Sequence, residues 1–439
     1  MGYDGTAIAV RQTAGSAADD AYLDVRIVSS AADFDALRPS WSRLHADSDT
    51  SVFQSWEWQK TWWKHLGQPA AAHRLHIVVL TQRGDVVAIA PFVVETIAIA
   101  PLVKLRRLTF LGAGISDYLD LLVRKGLEST CCERIAALLA EDAGAFDVLS
   151  LPDLPDGSRT RGPLVEALRR HGFEGNVFVA EQCCRSLLKT TWNETLDSFH
   201  GHHRRQLRWR RRGLEKRFAV ELDVCASEER LPDDLEEFMQ MHQQRWVRVG
   251  RKGVYADQAA AAFQREIAGI FSRRGWLFLA FLKIDGLRVA SFCGFRHRGE
   301  LAVYLTGMRD PGEAGKFSPG IVLHAMCMEA MTGQGVRTYD FLRGVEPYKY
   351  KCGAVDVPNW AISMFRGTAR FGRLKNVIAL LQASLSRRIE QEMLAFRHQR
   401  MVHRLLSAAM GRYLRSRLSA TVRDGLKKLR APEKPITLE

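Results

Sequence analysis

The sequence has no Cys-x-x-Cys pair and no other cysteine spacing suited to a metal site or to the disulfide frame of a small secreted domain. Its eight cysteines are two adjacent pairs, Cys131/Cys132 and Cys183/Cys184, and the scattered Cys225, Cys293, Cys327 and Cys352. Reduced thiols in a cytoplasmic protein are the expectation, with the doublets acting as small buried hydrophobes. Missing as well are the Gly-x-Ser-x-Gly elbow, the phosphate-binding loop and the dinucleotide fingerprint. His242, His297 and His324 stand at no metal-ligand spacing with any Cys or carboxylate, so no metal is expected. Cys352 has no neighbouring His and reads as a buried small side chain rather than a nucleophile. No basic-then-apolar leader opens the chain: residues 1–20 are rich in Gly, Ala, Ser and Asp and read as a disordered tail. One apolar run, residues 86–103, approaches membrane-spanning length. Glu95 at its centre, Pro91, Pro101 and its Val/Ile content make it two buried strand segments instead.

What is present fits a globular chain of two domains. The length is 439 residues, with 46% apolar and 26% charged side chains. The net charge of +14 is unevenly placed, because residues 366–430 hold 16 Lys/Arg against 3 Asp/Glu. That tail also carries helical periodicity: Leu374, Val377, Ile378, Leu381, Leu385 and Ile389, then Leu405, Leu406, Ala409, Tyr413 and Leu414. Near the other end, residues 53–66 hold Trp56, Trp58, Trp62 and Trp63, a stripe that reads as core or domain interface.

The pattern between these ends runs twice. A strand, helices, then strands at 75–81, 86–94 and 105–111, with a fourth at 118–123, lead to a helix at 130–142, a strand at 146–151, a helix at 162–171 and a strand at 176–180. The second pass has strands at 220–224, 276–284, 288–298 and 300–308, a helix over 321–331 and a strand at 338–342. Arg83-Gly84-Asp85 in the first pass corresponds to Ile284-Asp285-Gly286 in the second, and Phe146-Asp147-Val148-Leu149 to Tyr339-Asp340-Phe341-Leu342. Two copies of one α/β unit are inferred.

Residues 298–353 stand out in the second copy. An alternating run to Met308 is followed by a Gly-rich turn, 310–320, an apolar helical run, a short strand, and then Arg343, Glu346, Tyr348, Lys349, Tyr350 and Lys351. This order would place a phosphorylated ligand at a helix N-terminus, with reactive side chains at the end of the next strand. Ser318 is expected as the N-cap and Pro319 as the first helical residue.

Over residues 185–366 the chain resembles the acetyltransferases of the CelD-like family, a branch of the GNAT superfamily associated with cellulose and exopolysaccharide synthesis and related to the Fem-type aminoacyltransferases. The likeness rests on His203-Arg204-Arg205 with the following basic helix, the strands around Asp285-Gly286, Lys316-Phe317-Ser318-Pro319-Gly320, and Tyr339-Asp340-Phe341-Leu342-Arg343-Gly344 leading to Glu346-Pro347-Tyr348-Lys349. The aromatic stretch from Phe53 to Trp63 resembles the start of such proteins. The resemblance implies an α/β fold of two tandem GNAT-like domains, each a mixed central sheet flanked by helices, at 21–184 and 185–366, with a basic helical tail at 367–439. It implies an acyltransferase using acetyl-CoA or another acyl-CoA, acting on a sugar or amino-sugar precursor. The alternatives are an aminoacyl-tRNA-dependent ligase of the Fem kind and a non-catalytic scaffold of a polysaccharide synthase.

On this reading Met308, Arg309, Gly312, Gly315, Lys316, Phe317, Ser318 and Gly320 hold the donor; Arg309 and Gly312 with Gly315 approximate the family's loop. Acyl transfer needs a base, an oxyanion donor and an acid for the leaving thiolate. Glu346 is the candidate base and Tyr348 the candidate acid, with Asp340 orienting Arg343. Lys349 and Lys351 are candidates for acidic groups of a substrate. The basic stretch 203–217, eight Lys/Arg against one Glu with Trp209 among them, suits phosphates of a donor, an anionic precursor, or tRNA in the alternative reading. The tail suits an anionic membrane surface at the inner leaflet, or packing on its own protein or a second copy.

Overall fold

The computed structural model describes residues 23–366, apart from 71, 101–102, 143 and 249. The expected terminal tails, 1–20 and 367–439, lie outside the described residues. The chain forms a mixed α/β fold built on one twisted sheet of thirteen strands. In chain order these are β1 (Asp24–Val28), β2 (His73–Gln82), β3 (Asp85–Ala100), β4 (Val103–Phe110), β5 (Leu122–Val123), β6 (Val148–Pro155), β7 (Phe173–Leu187), β8 (Val220–Val224), β9 (Leu277–Ile284), β10 (Leu287–His297), β11 (Glu300–Met308), β12 (Thr338–Arg343) and β13 (Val355–Arg366). Across the sheet the order is 1-2-3-4-6-13-7-12-11-10-9-8, with β5 paired to β3 off this path.

Local chemistry sets the hairpins. Arg83-Gly84, Asp285-Gly286 and Arg298-Gly299 each have two successive positive φ angles, the type I′ geometry that matches the twist of the flanking strands. The first and second of these join equivalent strands, β2 to β3 and β9 to β10. In each half four antiparallel strands then meet a fifth in parallel: β4 with β6, and β11 with β12. The apolar run from residue 86 is strand rather than span. β3 is one 16-residue strand, and Glu95 within it pairs with Arg107 across the ladder. No helix among the described residues is long and apolar enough to cross a membrane.

The two halves exchange their last strands. β7, which ends the first half, pairs with β12 of the second, Tyr339 opposite Ser186 and Asp340 opposite Arg185. β13, which ends the second half, inserts between β6 and β7. The expected boundary at 184/185 therefore falls inside β7, and a single sheet runs through both halves. Around it, helices Pro319–Met331 and Gly201–Glu215 cover one face of the second half; Leu231–Arg248 and Gln258–Arg273 cover the other.

The tryptophan stripe serves the junction. Trp58 is wholly buried and meets Phe263, Phe295 and Tyr304 of the second half edge-on, with ring centroids 4.9, 5.4 and 5.4 Å away. Its indole N–H donates to Ser116 Oγ at 2.7 Å. All eight cysteines are free thiols, and every one except Cys225 is buried.

Candidate functional site

The parallel contact of β11 with β12 is short. It comprises Glu300 opposite Thr338, Leu301 opposite Tyr339 and Ala302 opposite Asp340, after which the strands part. β11 continues to Met308 and into a 3-10 turn, Gly312–Phe317, which delivers the chain to the Pro319–Met331 helix. The helix start sits hard against the end of β11: a Cβ on Gly320 would lie 2.8 Å from the terminal methyl of Met308. Phe317 is buried and packs on the basic helix, its ring 5.5 Å from that of Trp209 and in the space a side chain at Gly213 would need.

The charge around this helix start is positive. Arg210 reaches Ser318 Oγ at 3.4 Å, and Arg217 and Lys316 lie over the Phe317 ring at 5.6 and 5.3 Å. The first turn holds no acidic residue. The corresponding helix of the first half, Glu128–Glu141, opens on an acid, and the Glu128 carboxylate accepts from Gly126 N at 2.8 Å. Neither helix has a side-chain cap, but the first half places a carboxylate in its own first turn, where the helix dipole favours negative charge, while the first turn of the second half holds none and has cations around it. The donor residues proposed from sequence thus gather at one corner, with two differences. Ser318 occupies the N-cap position in a left-handed conformation, φ +53°, and its side chain caps nothing. Arg309 turns away and pairs with Glu237 at 2.8 Å.

Glu346 lies just past β12, at the start of the five-residue helix Pro347–Lys351. Its carboxylate, half exposed, packs against Gly344 and pairs with Lys349 at 2.9 Å. Tyr348 stacks on His324 with centroids 5.6 Å apart. Burial, with the Glu346 charge adding to it, raises the Tyr348 phenol above its ordinary value, so it keeps its proton and remains a donor. His324 is held neutral, its pKa lowered to about 3 by burial, and its Nδ1 is 2.8 Å from Tyr339 Oη. Arg245, from the helix on the opposite face, donates to Thr306 Oγ1 in the parted segment of β11.

Three of the expected site residues are engaged inside the protein. The Lys349 ammonium is buried and donates to the carbonyls of Leu342, Arg343 and Gly344 at 3.3, 2.6 and 2.9 Å, so it ties down the turn after β12 rather than facing a ligand. Arg343 donates to Asp117 Oδ1 at 2.7 Å and to the Ser116 carbonyl, with Asp153 and Glu181 at 3.6 and 3.7 Å. Burial disfavours the guanidinium charge, but the three carboxylates outweigh it and raise its pKa. Asp340 does not meet Arg343; it accepts from Arg185 Nε at 2.5 Å and from Tyr118 Oη at 2.8 Å. Leu342 N, at 2.7 Å, binds its other oxygen. Burial raises the Asp340 carboxyl, with Arg185 opposing.

Sequence reasoning did not single out Arg185, Tyr118, Glu300 or Arg245. Glu300 directly follows the Arg298-Gly299 turn, which placed it at a strand start; the other three come from segments with no local signal. No group of three or more His, Cys, Asp and Glu able to hold a metal is present among the described residues.

Residues 201–350 match the model of the acetyltransferase (GNAT) domain. Among solved structures, FemX is similar at a TM-score of 0.52 and 12% identity, over 80% of this chain and 99% of that one. L-PGS from Bacillus licheniformis reaches 0.47 at 12% identity, over 81% and 97%. A tandem GNAT protein from the clavulanic acid biosynthesis pathway reaches 0.40 at 13%, over 79% and 100%. No curated protein matches the sequence. The chain is therefore GNAT-like in sequence over residues 201–350 and shares its overall fold with FemX.

Proposed function

We propose that this chain is an acyl-CoA-dependent N- or O-acyltransferase whose second half holds the donor, with acetyl-CoA as the simplest candidate. The observation that carries the reading is the contrast between the two helix starts: cations and no acid at Pro319, a carboxylate at Glu128. Donor phosphates would meet Arg210, Lys316 and the first-turn N–H groups, and the acyl arm would enter where β11 and β12 part. The acceptor's nitrogen or oxygen attacks the thioester carbonyl, the C–S bond breaks, and the sulfur leaves with a proton. Glu346 takes the nucleophile's proton, directly or through water, and Tyr348 gives one to sulfur. Lys351 and the basic helix remain available to anionic groups of either substrate.

The CelD-like resemblance supports a sugar or amino-sugar precursor of a polysaccharide or envelope polymer as acceptor. The basic tail suits docking at an anionic inner-membrane surface. A second reading, an aminoacyl-tRNA-dependent ligase, draws on the likeness to FemX and on the exposed Trp209 among the arginines of the Gly201–Glu215 helix. Thermal stabilisation separates the two. A rise in Tm with acetyl-CoA and none with tRNA supports the first reading; no shift with any acyl-CoA at millimolar concentration sinks it. Glu346→Gln is expected to lower turnover by about 10²- to 10⁴-fold with donor binding kept, the range for a positioned base. Full activity in that variant removes Glu346 from the role.

A further inference from the structure

A cavity of about 320 Å³ lies at the seam of the two halves. The first half contributes the 48–53 segment and Tyr118; the second contributes Phe295, Glu300, Ala302 and Asp340. Ala302 and Asp340 are the last paired residues before β11 and β12 part, so the cavity is lined by the residues at which the gap assigned above to the acyl group begins.

The charged side chains lining this space are held by hydrogen bonds or ion pairs, except one. Asp340 is bound by Arg185 and Tyr118. Asp49 at the mouth pairs with Lys125 and Arg159 at 3.1 and 3.2 Å, and Arg159 also approaches Glu128 at 3.7 Å. Asp120 accepts from Thr160 Oγ1 and Leu121 N. Arg298 donates to the carbonyls of His45, Ala46 and Ser48, which secure it without a carboxylate. His297 is kept neutral, its pKa lowered to about 3 by burial, then by His45 and Arg298. Glu300 remains: half-buried at the start of β11, it feels the charge of Arg185, but that guanidinium is bonded to Asp340, and Glu300 has no hydrogen-bond partner of its own among the described residues. A carboxylate in such a place calls for a donor, and a cationic one is favoured most.

We propose that this cavity is the acceptor subsite and that it takes a small acceptor carrying a primary ammonium, received by Glu300 with Asp340 behind it. The volume is at the lower end of small-molecule sites and suits a monosaccharide-sized ligand. The assignment of the ligand as acceptor rests on the acyltransferase reading; its binding does not. Hydroxyl-rich neighbours, Ser51, Ser158 and Thr160, are placed to meet the rest of a polar molecule.

The test is calorimetric titration of the full chain with glucosamine, against glucose and N-acetylglucosamine as uncharged controls. Glucosamine is expected to bind at least about tenfold more tightly than either control, and Glu300→Gln to remove that advantage with the acetyl-CoA thermal shift unchanged. Gly157→Trp adds bulk to the lining without touching a charge, and no atom lies within 4 Å of a Cβ built there, so the ring enters without a clash at its root. It is expected to abolish glucosamine binding and to decide the matter should Glu300→Gln fail to fold. Equal affinity for the controls, unaltered glucosamine binding in either variant, or no binding of glucosamine up to about 10 mM overturns the proposal. Glucosamine binding without an acetyl-CoA shift would refute the donor reading alone; the converse would refute this site alone.

Discussion

Replacing Arg343 by Met is the sharpest test of how the two halves hold together. The side chain is similar in length, so the space stays filled while the charge goes. What remains is a buried group of carboxylates from the first half, Asp117 at 2.7 Å, Asp153 at 3.6 Å and Glu181 at 3.7 Å from the lost guanidinium, together with an unsatisfied Ser116 carbonyl. Removing one partner of a buried ion pair costs about 3–5 kcal/mol, because the other charge stays desolvated. Against a total stability of about 5–15 kcal/mol, this is a large fraction. Equilibrium urea unfolding should therefore show a much lower midpoint at pH 8. Asp153 already has its carboxyl pushed up to about 7, chiefly by burial against the pull of Arg343. Losing the arginine pushes it further. A carboxyl whose folded pKa exceeds its unfolded value stabilises the fold below the unfolded pKa and loses that contribution as pH rises through the folded one. The penalty should thus be smaller at about pH 5.5 than at pH 8, and adding Asp117→Asn should recover part of it. A loss below about 1 kcal/mol, or one that does not change with pH, would refute the reasoning.

Lys349→Met should destabilise by about 2–4 kcal/mol, since the carbonyls of Leu342, Arg343 and Gly344 lose the ammonium, with Cys184 Sγ at 3.2 Å left as a donor to Gly344; activity lost with stability unchanged would make the lysine a substrate ligand instead. Trp58→Ala should cost about 3–5 kcal/mol and lower the midpoints for both halves together; separate transitions would show that the seam is not one cooperative core. Residues 23–184 and 185–366 expressed separately should each be insoluble or aggregated, because each half leaves a long unpaired strand edge when β7 and β13 lose their partners. A folded monomer from either piece in circular dichroism and gel filtration contradicts this.

Much of the architecture was legible because it is local. Asp285-Gly286 and Arg298-Gly299 demand a hairpin wherever they stand between alternating strands, and the repeat of that grammar revealed the duplication. The tryptophan stripe was readable as core or interface for a similar reason, since indoles at positions 58, 62 and 63 can be buried only by something large. The strand exchange was not legible: β13 pairs with β6 about two hundred residues earlier, and nothing in its own alternation distinguishes that partner from another. The same non-locality governs the site. Arg343, Asp340 and Lys349 cluster in sequence and suggested one reactive group, yet their partners, Asp117, Arg185 and three backbone carbonyls, come from three directions. The left-handed Ser318 was hidden too, because Ser-Pro is an ordinary helix opening in sequence.

The two copies have the same strand order yet treat the segment after their fourth strand differently. After the parallel rung Leu108–Leu149, β4 runs on only to Phe110, and the following loop folds over the seam. There Ile115 accepts from Tyr304 Oη at 3.0 Å, Ser116 from Arg343, and Asp117 pairs with that arginine. In the first copy, the segment equivalent to 309–318 has thus become the other copy's scaffold, and its helix carries Glu128 in the first turn. The second copy's loop makes no such crossing: it turns through Gly312–Phe317 onto its own basic helix and leaves the end of β11 beside an uncapped helix start. One half therefore supplies rigidity and a wall of the seam cavity, while the other keeps the gap. Glu300, Ala302 and Asp340 belong to both arrangements at once, which is why a site for the acceptor is to be sought at the seam rather than within either copy.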